Sequence, residues 1–276
     1  MSRSRWCASL LLGCTLAWPA MAVELSATER RWLEAALPVL QYAREQRLPL
    51  DIIVQPQPTP GETPLGMAFI DGRCKLVLSM RGNPEAQATL DRMAPALRSV
   101  VVEAIAAHEL GHCWRHVTRR WGTLPDGARD ISGYSRVSTE QAALLQDMWR
   151  TRREEGFADL VGLAWTLQHH PHRYDEVHDW HARLRAEQEV ATGPHDTRVW
   201  VRLAADKTRF KAGATIFEQV QTLWLEGMLA GPPELQAARP PPGALAVAQG
   251  QGQGHEQGHG RSEGEETAQV AHVIED

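Results

Sequence analysis

Leu97, Val101, Ala104, Ile105, His108 and His112 recur at spacings of three and four, the stripe that one face of an α-helix presents. The stripe ends in His108-Glu109-Leu110-Gly111-His112, two histidines four residues apart with a glutamate directly after the first. At about 100° per residue, His112 lies about 40° round from His108, and Glu109 about 60° beyond His112. Two imidazoles on one core-facing stripe can share a metal ion while a carboxylate hangs beside it. Any fold of this chain has to bury that helix and still leave room for what the histidines hold. Two ordinary core histidines would need neither this spacing nor the intervening Glu109.

Zinc suits the pair, because it accepts neutral imidazole nitrogen and lowers the pKa of a bound water towards ~7. Glu109 is then placed to take that water's proton. A second match, His255-Glu256-Gln257-Gly258-His259, sits among Gly252, Gly254, Gly258 and Gly260 with no apolar neighbours. Glycine disfavours a helix, so nothing holds those histidines on one face, and they read as tail composition. A catalytic zinc takes a third protein ligand. His116 fails on distance, lying eight residues of helix, about 12 Å, from His108. Cys113 points about 100° away from His112. Glu155 is the better candidate, because Asp159 follows one turn later and can accept the second N–H of a ligating histidine. Glu154 has only Ala158 at that offset. The competing view, that Arg152-Arg153-Glu154-Glu155 is a solvated charge run, is weakened by the apolar Phe157, Leu160 and Val161.

The 276 residues suffice for a sizeable core, and the formal charge of −5 gives no hint of nucleic acid. No apolar run reaches 18 residues, so no membrane span is expected. Arg3 and Arg5, an apolar stretch from Trp6 to Trp18, and Ala20-Met21-Ala22 have the layout of an export signal over residues 1–22. Cutting there removes two arginines and takes the charge to −7. A rival places a lipid on Cys14 within Leu11-Leu12-Gly13-Cys14, which would anchor the chain to a membrane surface. Cleavage after Ala22 leaves two cysteines, Cys74 and Cys113. In an oxidising compartment they either pair, bracing the metal helix, or stay as two buried thiols. From Gly231 the composition turns to Pro, Gly and Gln, and residues 231–276 are expected to be a disordered tail. Residues 23–230 remain as one domain.

Within that domain, Ser26 and Glu29 form a capping pattern before Leu33, Ala36, Leu37 and Leu40, predicting a first helix. Asp51–Val54, Gly66–Ile70 and Lys75–Met80 read as strands, the last two joined around Asp71-Gly72. A short helix follows, then the metal helix from Pro95 to about Arg120. Residues 122–133 are loop. Further helices are predicted from Ser138 through Leu163 and Ala164, from Pro171 to about Val190, after the turn Gly193–Thr197, and from Thr215 to Leu229. The fold class is α+β, mainly helical, with a small sheet before the metal helix.

His108-Glu109-Leu110-Gly111-His112 followed by Glu155-Gly156-Phe157-Ala158-Asp159 resembles the gluzincin branch of the zincin metallopeptidases. The resemblance covers about Asp51 to Leu167 and points to no particular family within that branch. It implies one zinc per chain on His108, His112 and Glu155, with Glu109 as general base and Asp159 behind the ligands. It also implies a sheet whose edge strand aligns an extended protein or peptide substrate. Such enzymes add a donor for the oxyanion, for which His195 and Tyr134 are the candidates. The resulting expectation is an exported zinc metallopeptidase. A zinc hydrolase of a non-peptide bond and a non-catalytic binding module are the alternatives.

Overall fold

The computed structural model describes residues 24–55, 63–124, 139–187 and 193–230. The expected export signal over residues 1–22, Cys14, Tyr134, the second histidine pair and the expected tail from Gly231 lie outside those residues.

The chain enters through α1, Ala27–Glu45, whose capping box forms: Ser26 Oγ accepts from Glu29 N–H, and Glu29 accepts from Ser26 N–H at 2.7 Å. Glu29 is fully buried and also accepts from Arg81 at 2.8 Å, tying the helix start to the chain beyond the sheet. Three strands follow: β1 Leu50–Val54, β2 Leu65–Ile70 and β3 Arg73–Leu78. Their order is β1-β3-β2, with β1 parallel and β2 antiparallel to β3. Between β2 and β3 the turn is tighter than the expected strand limits, pairing Ile70 with Arg73 across Asp71-Gly72. Both turn residues take left-handed φ values, 52° and 71°, as a two-residue hairpin with right-handed strand twist needs.

Asn83 caps α2, Pro84–Asp91, by accepting from Glu85 N–H. A single 3₁₀ turn at Pro95–Leu97 leads into α3, Arg98–Val117, the helix of the histidine motif. It stops three residues before the expected Arg120. Thr118 Oγ turns back to the Trp114 carbonyl at 2.6 Å, and Arg119 takes a left-handed φ of 58°. The next helix, α4, is one continuous run from Thr139 to His169. Then come α5, Tyr174–Ala186, α6, Arg198–Ala204, α7, Ile216–Gln219, and α8, Gln221–Ala230. α5 ends before the expected Val190. The expected helix from Thr215 to Leu229 breaks at Val220, although its apolar stripe (Ile216, Phe217, Val220, Leu223, Trp224) is buried through the break.

α3 is the centre of the core, packed against α4, α1 and β2. Cys113 of α3 and Cys74 of β3, both without exposed surface, form a disulfide with Cα atoms 5.6 Å apart. The sheet is thereby locked to the helix one residue past His112. The molecule is α+β and mainly helical with a small mixed sheet, and no helix among the described residues is long and apolar enough to cross a membrane.

Candidate metal centre

Small residues set the distance between α3 and α4. A Cβ added to Gly162 would stand 2.7 Å from the Ala104 carbonyl oxygen, and one on Gly111 would stand 3.1 Å from Ala158 Cα. The helices can approach this closely only because those positions carry no side chain or a methyl. The approach carries Glu155 of α4 to the two histidines of α3. His108 Nε2 and His112 Nε2 lie 3.0 Å apart. Glu155 reaches both, Oε2 at 3.5 Å from His108 Nε2 and Oε1 at 3.3 Å from His112 Nε2. These three residues form the one group among the described residues whose ligand atoms, all within 4.8 Å of one another, could hold a metal ion.

Asp159, one turn beyond Glu155 and fully buried, stands behind them. His108 Nδ1 is 2.9 Å from Asp159 Oδ1. A carboxylate there accepts the hydrogen bond of Nδ1–H, which fixes the tautomer and turns the Nε2 lone pair of a neutral His108 towards the ligand group. Asp159 is itself held from two further elements. Arg185 of α5 donates to it at 2.6 and 2.8 Å, and Thr197, just before α6, donates from its hydroxyl. His181 Nε2 lies 2.9 Å from Asp159 Oδ1. Arg185 also reaches Glu155 at 3.5 Å.

The solvated-charge-run alternative is overturned, because Arg152, Glu154 and Glu155 are each at most 3% exposed. Glu154 belongs to a separate pair. It accepts from Arg115 at 2.6 and 2.7 Å and from Gly122 N–H at 2.9 Å, with the guanidinium 4.2 Å from the Trp224 ring centroid. Adjacent glutamates thus divide between the ligand group and a structural ion pair.

Burial shapes every charge at the centre. It pushes the Glu109 carboxyl up to about 8 and draws His108 down. Burial also opposes a charge on His112, but Glu155 and Glu109 outweigh it and hold the imidazolium up to about 9. Glu155 is held at about 2 against its burial by His112, His108 and Arg185. Asp159 stays well below the usual carboxylate range against its burial, through Arg185, His181 and His108. One oxygen of buried Glu109, Oε2, has no hydrogen-bond partner, which leaves it available to a group at the centre.

His195 sits half-buried in a turn that α4 anchors at both ends, through Arg152 to the Gly193 carbonyl at 2.9 Å and through Thr197 to Asp159. It is not part of the ligand group. His116 stacks on Phe69 of β2 at 3.9 Å, also outside the group. Arg185, His181 and Thr197 are the site residues that sequence reasoning missed. A signal existed for two of them: the buried stripe of α5, Tyr174 and Val177, continues to His181 and Arg185. That helix is otherwise so charged that its polar members read as solvent-facing.

Compared with known proteins, the chain matches no protein-family model, and no curated protein or solved structure matches it significantly.

Proposed function

We propose that the chain is an exported zinc metallopeptidase that hydrolyses protein or peptide substrates with Glu109 as general base. The observation that carries this proposal is the division of labour among four buried residues on two helices. His108, His112 and Glu155 converge their ligand atoms, while Glu109 keeps an unpartnered carboxylate oxygen beside them. A purely structural zinc site is closed by four protein ligands, whereas here three converge and Glu109 stands outside the ligand group. Two imidazoles with one carboxylate are a donor set zinc accepts readily.

Zinc held there would act as a Lewis acid on the scissile carbonyl and make water acidic enough to attack near neutral pH. The chain's own residues do the rest. Asp159 orients His108, with Arg185 and Thr197 fixing Asp159 in turn. Glu109 takes the proton of the attacking water and returns it to the leaving amine. His195, in its anchored turn, is the candidate donor to the developing oxyanion. Export is supported by the N-terminal pattern of residues 1–22 and by the Cys74–Cys113 disulfide, a bond that lasts in oxidising compartments.

The test is metal content of the purified protein together with cleavage of peptide libraries, with and without chelator. About one zinc per chain and chelator-sensitive peptide hydrolysis are expected. Zinc-loaded protein that is inert on peptides but cleaves an ester or amide of another class would move it to the non-peptide hydrolases.

A further inference from the structure

Away from the metal centre, the C-terminal half of α1 and strand β1 enclose a groove of about 570 Å³. Its lining combines apolar Leu40, Ala43, Leu50 and Ile52 with Arg44, Arg47 and Arg73. Arg73 is held by Asp51 at 2.6 and 2.7 Å. Arg44 and Arg47 have no side-chain partner among the described residues. Arg47 occupies the left-handed position that ends α1, φ 56°, with its N–H bonded to the Arg44 carbonyl and Leu48 N–H to the Ala43 carbonyl. Glycine is the usual residue at that position. A charged residue stands there instead, lining the groove.

The groove runs along a sheet edge that is open among the described residues. There β1 pairs only with β3, and Cys74 N–H bonds to Pro49 O while Gln55 N–H bonds to Leu78 O. In a parallel ladder alternate residues bond to the same neighbour, so the odd-numbered residues face β3. The N–H and C=O groups of Ile52 and Val54 therefore face away from the sheet, and the Ile52 and Ile53 side chains are 46% and 37% exposed. An unprotected apolar edge of this kind invites another strand.

A segment of this same chain has the matching chemistry. Residues 263–276 contain Glu263, Glu265, Glu266, Glu275 and Asp276 and no lysine or arginine. They also contain Val270, Val273 and Ile274, residues that favour extended backbone. About thirty Pro-, Gly- and Gln-rich residues separate this segment from the end of α8 at Ala230. A Gly-rich coil of that length would have a root-mean-square span of about 30 Å, enough to reach across a domain of this size. We propose that residues 263–276 dock in this groove as an added strand on β1, with the acidic side chains against Arg44 and Arg47. Tethering holds the segment at a high local concentration, so a weak contact suffices.

Amide hydrogen exchange on the full chain at low ionic strength tests the docking at Ile52 and Val54, whose N–H groups are open to solvent when the edge is empty. In the wild type these amides should exchange at least about tenfold more slowly than in a variant carrying Arg44→Glu and Arg47→Glu. Replacing Glu263, Glu265, Glu266 and Glu275 by Lys should abolish the protection without touching the folded domain. Combining both charge reversals should restore it. Equal exchange in the wild type and both charge-reversed variants overturns the proposal. Protection that rises with protein concentration also overturns it, since a second copy would then be the occupant.

Discussion

Gly162 of α4 crosses Ala104 of α3 so closely that a single added methyl would lie 2.7 Å from the Ala104 carbonyl oxygen. His108 is one turn past Ala104, and Glu155 is two turns before Gly162, so this crossing sets the gap in which the ligand atoms meet. Gly162→Ala has no room to relax, because the obstacle is backbone. It should destabilise the protein by about 1–3 kcal/mol, the usual cost of overpacking, and weaken metal binding in parallel. Gly66→Ala is the control, since its Cβ would meet only Thr63 Oγ1 at an ordinary 3.6 Å. Urea denaturation and metal titration of both variants check the pair of expectations. Unchanged metal affinity in Gly162→Ala would show that the crossing does not set the ligand geometry.

Glu154 and Glu155 are neighbours with opposite expected losses. Glu155→Ala should remove most of the bound metal, because it deletes one of three converging ligands. Glu154→Gln should leave metal stoichiometry intact. It strands the Arg115 guanidinium, which is 2% exposed, and breaking a buried pair in this way costs roughly 3–5 kcal/mol. Elemental analysis and denaturation midpoints distinguish the two. Full metal content in Glu155→Ala would remove that residue from the centre.

The signals that could be read in the sequence were local ones. A Ser-x-x-Glu capping box, an Asp-Gly turn between two apolar runs and two histidines at helical spacing each declare themselves within five residues, and each lies where its local chemistry puts it. Glu155 was legible for the same reason, since its partner Asp159 lies one turn along the same helix. Arg185 and Thr197 reach Asp159 from 26 and 38 residues away, through packing of α5 and α6 on α4. No spacing rule encodes such a contact, and a buried arginine on a charged helix has the same sequence signature as a solvated one. The end of α3 was misplaced because Thr118 and Arg119 carry no strong stop signal. The turn there depends on a side-chain bond back to Trp114.

The disulfide provides a third test. Cys74 and Cys113 close a loop with a sequence separation of 39. A cross-link of that span limits the unfolded chain and is worth about 4 kcal/mol in the loop-entropy model. A variant with Cys74→Ser and Cys113→Ser should unfold at a correspondingly lower denaturant concentration, and reductant should shift the wild type but not the variant. A wild type indifferent to reductant would mean that the two thiols are not paired in solution.

Metal uptake should depend steeply on pH. His112 binds a metal only as neutral imidazole, yet in the metal-free protein Glu155 and Glu109 hold its proton up to about 9. Below that value the proton competes with the metal, so apparent affinity should rise about tenfold per pH unit between pH 6 and 8. Glu109, pushed up to about 8 by burial, should release a second proton as a cation arrives beside it, steepening the slope. Isothermal titration in buffers of different ionisation enthalpy counts the released protons. An affinity flat across this range would exclude His112 as a ligand whose proton the metal displaces.

Glu109→Gln separates a hydrolase from a binding module. Glu109 is not among the converging ligands, so its amide analogue should retain the metal. The amide keeps size and hydrogen bonding but cannot accept a proton from water. In a peptidase, hydrolysis should therefore fall by roughly 10²–10⁴, the usual worth of general acid–base catalysis. In a binding module, the wild type shows no chelator-sensitive hydrolysis to lose, and partner affinity is the same in both proteins. Metal content has to be measured on the same preparation, because a variant that has shed its metal is inactive for a different reason. Burial gives a further check. The unpartnered carboxyl is costly in the metal-free fold, and glutamine carries no charge to desolvate, so the metal-free variant should be no less stable than the metal-free wild type. A metal-replete Glu109→Gln that hydrolyses a wild-type substrate at the wild-type rate would end the assignment of Glu109 as the base.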